Sequence, residues 1–291
     1  MKDAALNATA TSNIGGAIGV FDSGVGGLTV FRELKKQLPQ TQLIYLGDTA
    51  RTPYGAKGPE TIKRYACECA SFLIARGISQ LVIACNTASS HALTEVQSLF
   101  PLIPVFGTIA PAVDAAISAV GKEGAILVLG TRSTVRSGAF QKALEQKTDR
   151  RILQQACPLF VPLVEESILE GRIVEDVIAM YLGTYKNSVN ISTVILGCTH
   201  YPLLRDALQR FFGSEVTLVD CAASLAGAVA SARAINQSSE CADEFFVTDD
   251  PDAFSALASR ILLLVHPTSA KISAKIVSDL NSFSLIYPNL P

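Results

Sequence analysis

The chain has 291 residues, 49% hydrophobic and 17% charged, which excludes a disordered polymer and is long for a single hydrophobic core. A formal net charge of −2 excludes a basic field over the whole molecule, so no direct nucleic-acid partner is expected. No apolar run approaches the roughly 20 residues that span a bilayer, and the N-terminus has no signal-peptide core, so a cytoplasmic chain with no membrane partner is expected.

Residues 1–15 are small and polar and read as a flexible N-terminal arm. A strand is then predicted over Ala17–Phe21, a helix over Gly27–Lys36, a strand over Leu43–Leu46 and a helix over Glu60–Arg76. The alternation continues with strand Leu81–Ala84, helix Ser89–Leu99, strand Val105–Phe106, helix Ala110–Ala119 and strand Ala125–Leu129. Helices Val135–Gln146 and Leu163–Lys186, strand Val194–Leu196, helix Pro202–Phe212 and strand Thr217–Val219 follow. Most strands are Val/Ile/Leu runs without polar alternation, as in parallel sheets covered on both faces. After about residue 222 the chain is Ala-rich and helical, and the last 25 residues carry no strong pattern. The expected fold is α/β, with two similar domains of mostly parallel sheets flanked by helices. The first domain takes residues 16–107 plus about 222–291, and the second takes 108–221. In such folds ligands bind beyond the carboxyl ends of strands.

Two strand ends match. Leu81-Val-Ile-Ala-Cys85-Asn86-Thr87 and Val194-Ile-Leu-Gly-Cys198-Thr199-His200 each run from an apolar strand through one small residue to a cysteine and short polar side chains. One lies in each expected domain. A lone cysteine is most often a core filler, and Cys67, Cys69, Cys157, Cys221 and Cys241 can take that reading. A matched pair suggests chemistry. Inverting a stereocentre beside a carboxylate removes a proton from one face and adds one to the other. A free thiol titrates near 8.5, so thiolate base and thiol acid are both accessible near neutrality. Metal binding is the competing chemistry. The three histidines, His91, His200 and His266, and the Cys67-Glu-Cys69 pair lack zinc-site spacing, so no metal is expected.

The segment Phe21-Asp22-Ser23-Gly24-Val-Gly26-Gly27-Leu-Thr29 joins the first strand to a helix, a context that suits an anion. A dinucleotide site is the alternative there. Thr29 stands where the third fingerprint glycine belongs, and Asp48 lies roughly where a ribose-binding acid would. Asp22 reads equally as a turn or cap residue and as a group orienting a thiol or an ammonium.

The runs FDSGVGGLTV (21–30), YLGDTARTPYG (45–55), ACNTAS (84–89), ACPLFVPLVEE (156–166) and LGCTHYPLL (196–204) resemble those of glutamate racemases. The resemblance implies a cofactor-independent isomerase that interconverts L- and D-glutamate and supplies D-glutamate for peptidoglycan. It implies an active site in the cleft between the domains. Cys85 and Cys198 match the two acid–base cysteines, Cys85 serving D-glutamate and Cys198 L-glutamate. Asp22 and His200 match the residues assisting the thiols, and Glu165 a further catalytic carboxylate. Ser23, Tyr54, Gly55, Asn86, Thr87 and Thr199 match substrate-holding positions, and Thr131 and Thr134 a pair that binds the side-chain carboxylate. No pyridoxal phosphate, metal or nucleotide is implied. Some members with N-terminal extensions are activated by a peptidoglycan precursor, and some inhibit DNA gyrase; both are open for this chain, as is a homodimer. The rival readings are an aspartate racemase of the same superfamily and a non-catalytic nucleotide-binding protein.

Overall fold

The computed structural model describes residues 16–119, 123–186, 189–233, 242–263, 273–277 and 280. The N-terminal arm, Cys241, His266 and most of the unpatterned last 25 residues lie outside the described residues. The first sheet is centred on β1 (Ile18–Asp22), with β2 (Leu43–Gly47) on one side. β3 (Gln80–Ile83) and then β4 (Val105–Gly107) lie on the other. The second sheet repeats this arrangement. β5 (Ala125–Gly130) is central, β6 (Ile152–Ala156) flanks it on one side, and β7 (Ile191–Gly197) then β8 (Thr217–Asp220) on the other. The chain finally returns to the first sheet, adding β9 (Glu244–Val247) and β10 (Ala274–Ile276) beyond β2. Every strand pairing is parallel.

Each residue of β1, β2, β3, β5 and β7 is buried, which is why these strands show apolar runs and no alternation. In both sheets the strand order reverses beside the central strand, between β1 and β3 and between β5 and β7. Such a switch point opens a crevice at the carboxyl ends of the strands. Asp22 and Cys85 emerge at the first crevice, Thr131 and Cys198 at the second.

The helices in chain order are α1 (Leu28–Gln37), α2 (Pro59–Ile74), α3 (Asn86–Leu99) and α4 (Ile109–Ser118). Then come α5 (Arg132–Ser137), α6 (Ala139–Glu145), α7 (Phe160–Glu165) and α8 (Arg172–Lys186). Last are α9 (Arg205–Phe212), α10 (Cys221–Ser231) and α11 (Pro251–Leu263). Two of them cross over. α4 follows a strand of the first sheet, yet its Ile109, Ala112, Val113 and Ala116 pack against Ile126, Val128 and Ile195 of the second. α10 follows β8, yet its Ala222, Leu225, Ala226 and Val229 pack against Ile18 and Val20 of the first and against Leu28 of α1. Truncating one such fully buried leucine to alanine costs about 2–5 kcal/mol, so this exchange of helices welds the halves together.

Several expected elements are divided. The helix expected over Val135–Gln146 is α5 and α6, separated by Gly138 at a left-handed φ of 65°. The one expected over Leu163–Lys186 stops at Glu165, turns through Ser167 (φ 60°) and Gly171 (φ 88°), and restarts as α8. The helix expected from Pro202 opens as a tight 3-10 turn over Tyr201–Leu204 before α9. Strands β6, β9 and β10 were not expected. Among the described residues no helix is long and apolar enough to cross a membrane.

Candidate active site

The two crevices face each other across one cavity of about 350 Å³. The first half contributes Ser23, Cys85, Asn86, Thr87 and the loop Thr52 to Ala56; the second contributes Thr131, Glu165, Cys198, Thr199 and His200. The structure thus gathers residues up to 177 positions apart in sequence, as in the Asp22–Thr199 contact. Asp22 and Thr134 stand just behind this lining, buried and bonded to residues that form it.

Cys85 leaves β3 and acts as the N-cap of α3, its sulfur accepting the Ala88 N–H at 3.4 Å. Its thiol points to Ser23 Oγ at 3.5 Å. Burial pushes the Cys85 thiol up to about 12, the Asp22 charge adds to this, and the Ala88 N–H and Ser23 hydroxyl oppose it. Asp22 is fully buried, and burial raises its carboxyl above the ordinary range. The His200 charge and the N–H groups of Gly27, Gly24 and Ser23 pull it back. These amides belong to the glycine loop at the start of α1, so the anion site expected there is filled by the chain's own carboxylate. A side chain on Gly27 would put its Cβ 2.4 Å from that of Asp22, which is why glycine stands there.

Cys198 leaves β7 at the matching place, but its partners differ. His200 Nδ1 lies 3.8 Å from the Cys198 sulfur, and His200 Nε2 lies 3.1 Å from Glu165 Oε1. Burial works against a charged His200 ring, but the hydrogen bonds and negative charges of Cys198 and Glu165 prevail and raise it to about 10. The carboxylate–imidazole–thiol line is therefore cationic at its centre through neutral pH. Glu165 is the last residue of α7, set there by the break at Ser167. Its carboxylate is partly exposed while one oxygen meets His200.

One end of the cavity is a ring of hydroxyls. Thr87, Thr131 and Thr134 lie 2.9, 3.1 and 3.0 Å apart. Three hydroxyls closed on each other can each rotate to donate to an incoming carboxylate. Asn86 lies beside them with both amide ends buried and without a protein partner. An unsatisfied buried polar group costs about 1–3 kcal/mol, and this one borders the cavity, where an entering group can satisfy it.

Tyr54 lines the cavity, but its hydroxyl donates to Asp48 and is not offered to a ligand. Gly55 lies so close to Thr131 that a Cβ would come within 2.7 Å of it. The ribose reading of Asp48 fails for a related reason. Its carboxylate is fully buried and occupied by Arg51, Tyr54 and Thr248. His91, left without a role, bonds Ser133 across the cleft at 3.0 Å. Cys67, Cys69, Cys157 and Cys221 are buried and outside the lining. Among the described residues no group of three or more His, Cys, Asp or Glu is placed to hold a metal ion.

The cavity also has walls that the sequence reading missed: Thr52, Pro53, Ala56, Arg132, Pro158, Val161 and Pro162. All lie inside the quoted runs or beside their singled-out residues. Positions 158, 161, 162 and 165 follow helical spacing, so Glu165 alone could have pointed to its neighbours.

Residues 18–229 match the family model Asp/Glu/Hydantoin racemase. The glutamate racemase of Persephonella marina is 42% identical over 246 residues, covering 84% of this chain and 93% of that protein. The crystal structure of glutamate racemase from Francisella tularensis in complex with D-glutamate superposes with a TM-score of 0.83 at 33% identity, covering 92% of this chain and 99% of that one. That of Escherichia coli glutamate racemase, in complex with L-glutamate and the activator UDP-MurNAc-Ala, gives a TM-score of 0.72 at 26% identity over 90% of this chain and 98% of that one.

Proposed function

The chain belongs to the Asp/Glu/Hydantoin racemase family, and from that membership we propose that it is a glutamate racemase that interconverts L- and D-glutamate by two-base proton transfer. The observation that carries this reading is the single cavity lined by both Cys85 and Cys198, one from each half. A thiolate on one face takes the Cα proton and leaves a carbanion at Cα. The thiol on the other face gives its proton to the opposite side of that carbon and becomes the thiolate. Cys198 is the base toward L-glutamate and Cys85 the base toward D-glutamate. His200, held charged by Glu165, is the counter-ion for a thiolate formed at Cys198. Asp22, reaching Cys85 through the Ser23 turn, orients that thiol and takes up its proton when Cys85 must act as base.

Glutamate fills the remaining features. Its side-chain carboxylate is met by Thr87, Thr131 and Thr134 and by the backbone near Gly55. Its α-carboxylate and ammonium are met by Asn86, Ser23 and Thr199. Tyr54 contributes its ring as a wall. That no cofactor takes part is what the resemblance to glutamate racemases implies, and both proton carriers are side chains of the chain. The D-glutamate formed serves peptidoglycan synthesis.

The test is incubation with L-glutamate in deuterium oxide without added cofactor. Loss of optical rotation with deuterium at Cα is the expected result. Folded, reduced protein that neither exchanges nor racemises, with or without UDP-MurNAc-Ala, would exclude the proposal. Faster turnover of aspartate than of glutamate would transfer it to the other amino acid.

A further inference from the structure

The loop from Thr52 to Ala56 forms a wall of the cavity and is locally closed only by the short 3-10 turn Tyr54–Ala56. A buried charge cluster outside the cavity anchors it to the rest of the first half. Arg51 directs Nε at both Asp48 oxygens, at 3.0 and 2.7 Å, and Nη1 at Glu68 on α2. Its guanidinium also lies over the Tyr65 ring, 4.0 Å from the centroid. Asp48 in turn receives the hydroxyls of Tyr54 and of Thr248, the latter at 2.9 Å from the end of β9. Thr248 Oγ also accepts the Ala50 N–H at 2.9 Å. Asp48 and Glu68 are buried, and neither lines the cavity.

We infer that Arg51 is a positioning residue for substrate: clamped between Asp48 and Glu68, it fixes the wall at Tyr54 and Gly55 and so the place of Thr131, which packs against Gly55. This inference rests on the glutamate reading of the same cavity. Three observations join in it. The clamp ties the two ends of the 48–54 turn, Asp48 and Tyr54, to each other and to Arg51 at its middle. Gly55 then meets Thr131 at a distance that admits no side chain. Thr131 belongs to the hydroxyl ring assigned to the substrate's far carboxylate. A wall fixed at that end measures side-chain length, which is what separates glutamate from aspartate. The planar fork of arginine spans two carboxylates at once, and the point charge of lysine does not.

The experiment compares wild type, Arg51→Lys and Glu68→Gln as full-length proteins, using L-glutamate, D-glutamate and L-aspartate. Arg51→Lys should raise KM for both glutamate enantiomers about tenfold while kcat changes by no more than about twofold, the signature of lost positioning before the chemical step. The preference for glutamate over aspartate should narrow. Glu68→Gln, which keeps the side-chain volume and touches no substrate, should move KM in the same direction by less. A merely structural clamp would lower the melting temperature and leave KM and the glutamate preference of the folded fraction unchanged, and that result would overturn the inference. If Arg51→Lys does not fold, Glu68→Gln decides by the same criterion. Wild type that racemises glutamate alongside variants of unchanged KM defeats the clamp alone; wild type inactive on glutamate defeats the functional reading beneath it.

Discussion

The two halves present the same atom at the same place in the same topology and surround it differently. Cys85 and Cys198 each follow the strand beside the central one, β3 beside β1 and β7 beside β5. Around Cys85 the partners are a buried carboxylate, a hydroxyl and the Ala88 N–H of α3. Around Cys198 they are an imidazole and a half-exposed carboxylate, and the chain continues as a 3-10 turn. One thiol faces negative charge and the other positive charge. Symmetry is thus kept where the two faces of one carbon require it, in the thiols, and abandoned in the groups that set their protonation.

The sharpest break in this comparison would be a thiol that proves dispensable. Cys85→Ala and Cys198→Ala should each lower racemisation by about a thousandfold or more in both directions, since every turnover uses one base and one acid. Polarimetry from either enantiomer reads this, and one variant retaining near-wild-type turnover would reduce the mechanism to a single base.

Next in size are the differing partners. Asp22→Asn and His200→Asn should each cost about a hundredfold in kcat/KM. The enantiomers are equally stable in water, so kcat/KM must fall equally in both directions for any variant. The asymmetry between the halves must instead appear in kcat and KM taken separately, and in the Cα deuterium isotope effect for each enantiomer. Identical patterns for the two variants would mean that the unlike surroundings do the same work.

A third prediction concerns pH. The His200 ring is raised to about 10 from 6.5, so it is charged throughout the neutral range and loses its proton as pH rises through about 10. Activity should show an alkaline limb there, and the stability this ring contributes should be complete below 6.5 and vanish over the same limb. Glu165→Gln removes one cause of the raised value and should move the limb to lower pH. A limb that stays in place would separate Glu165 from the thiol's surroundings.

The smallest effect lies beneath the second half alone. The Tyr201 hydroxyl sits 3.0 Å from the Gly130 carbonyl and 2.8 Å from that of Cys157. Tyr201→Phe should cost about 1–2 kcal/mol in denaturant unfolding, with the pH profile unchanged.

Much of this was legible in the chain. The buried strands announced themselves as apolar runs, and the matched strand ends announced the cysteines. Of the strands that escaped notice, β6 and β10 are sheet edges and β9 lies one place in, between β10 and β2. β6 is half-buried and carries Gln154 and Gln155, and β9 and β10 are short. An edge strand needs less apolar surface, so its signal is weaker. The division of α7 from α8 escaped although Gly171 marks the turn, because apolar spacing continues through it and the left-handed Ser167 that ends α7 carries no such mark. The fate of the Tyr54 hydroxyl could not be read either. It depends on Asp48, six residues away, being occupied by Arg51 and by Thr248, two hundred residues away.

The return of the chain to its first sheet bears on synthesis. All four strands of the second sheet have left the ribosome by Asp220, while β2 gains its outer neighbour only with Glu244 to Val247. Until then the amide and carbonyl groups along Leu43–Gly47 form an open edge, a template for pairing with another nascent chain. A frameshift or nick between Ser231 and Glu244 would therefore release a fragment that keeps both cysteines and a complete second sheet, yet is inclined to aggregate through the first.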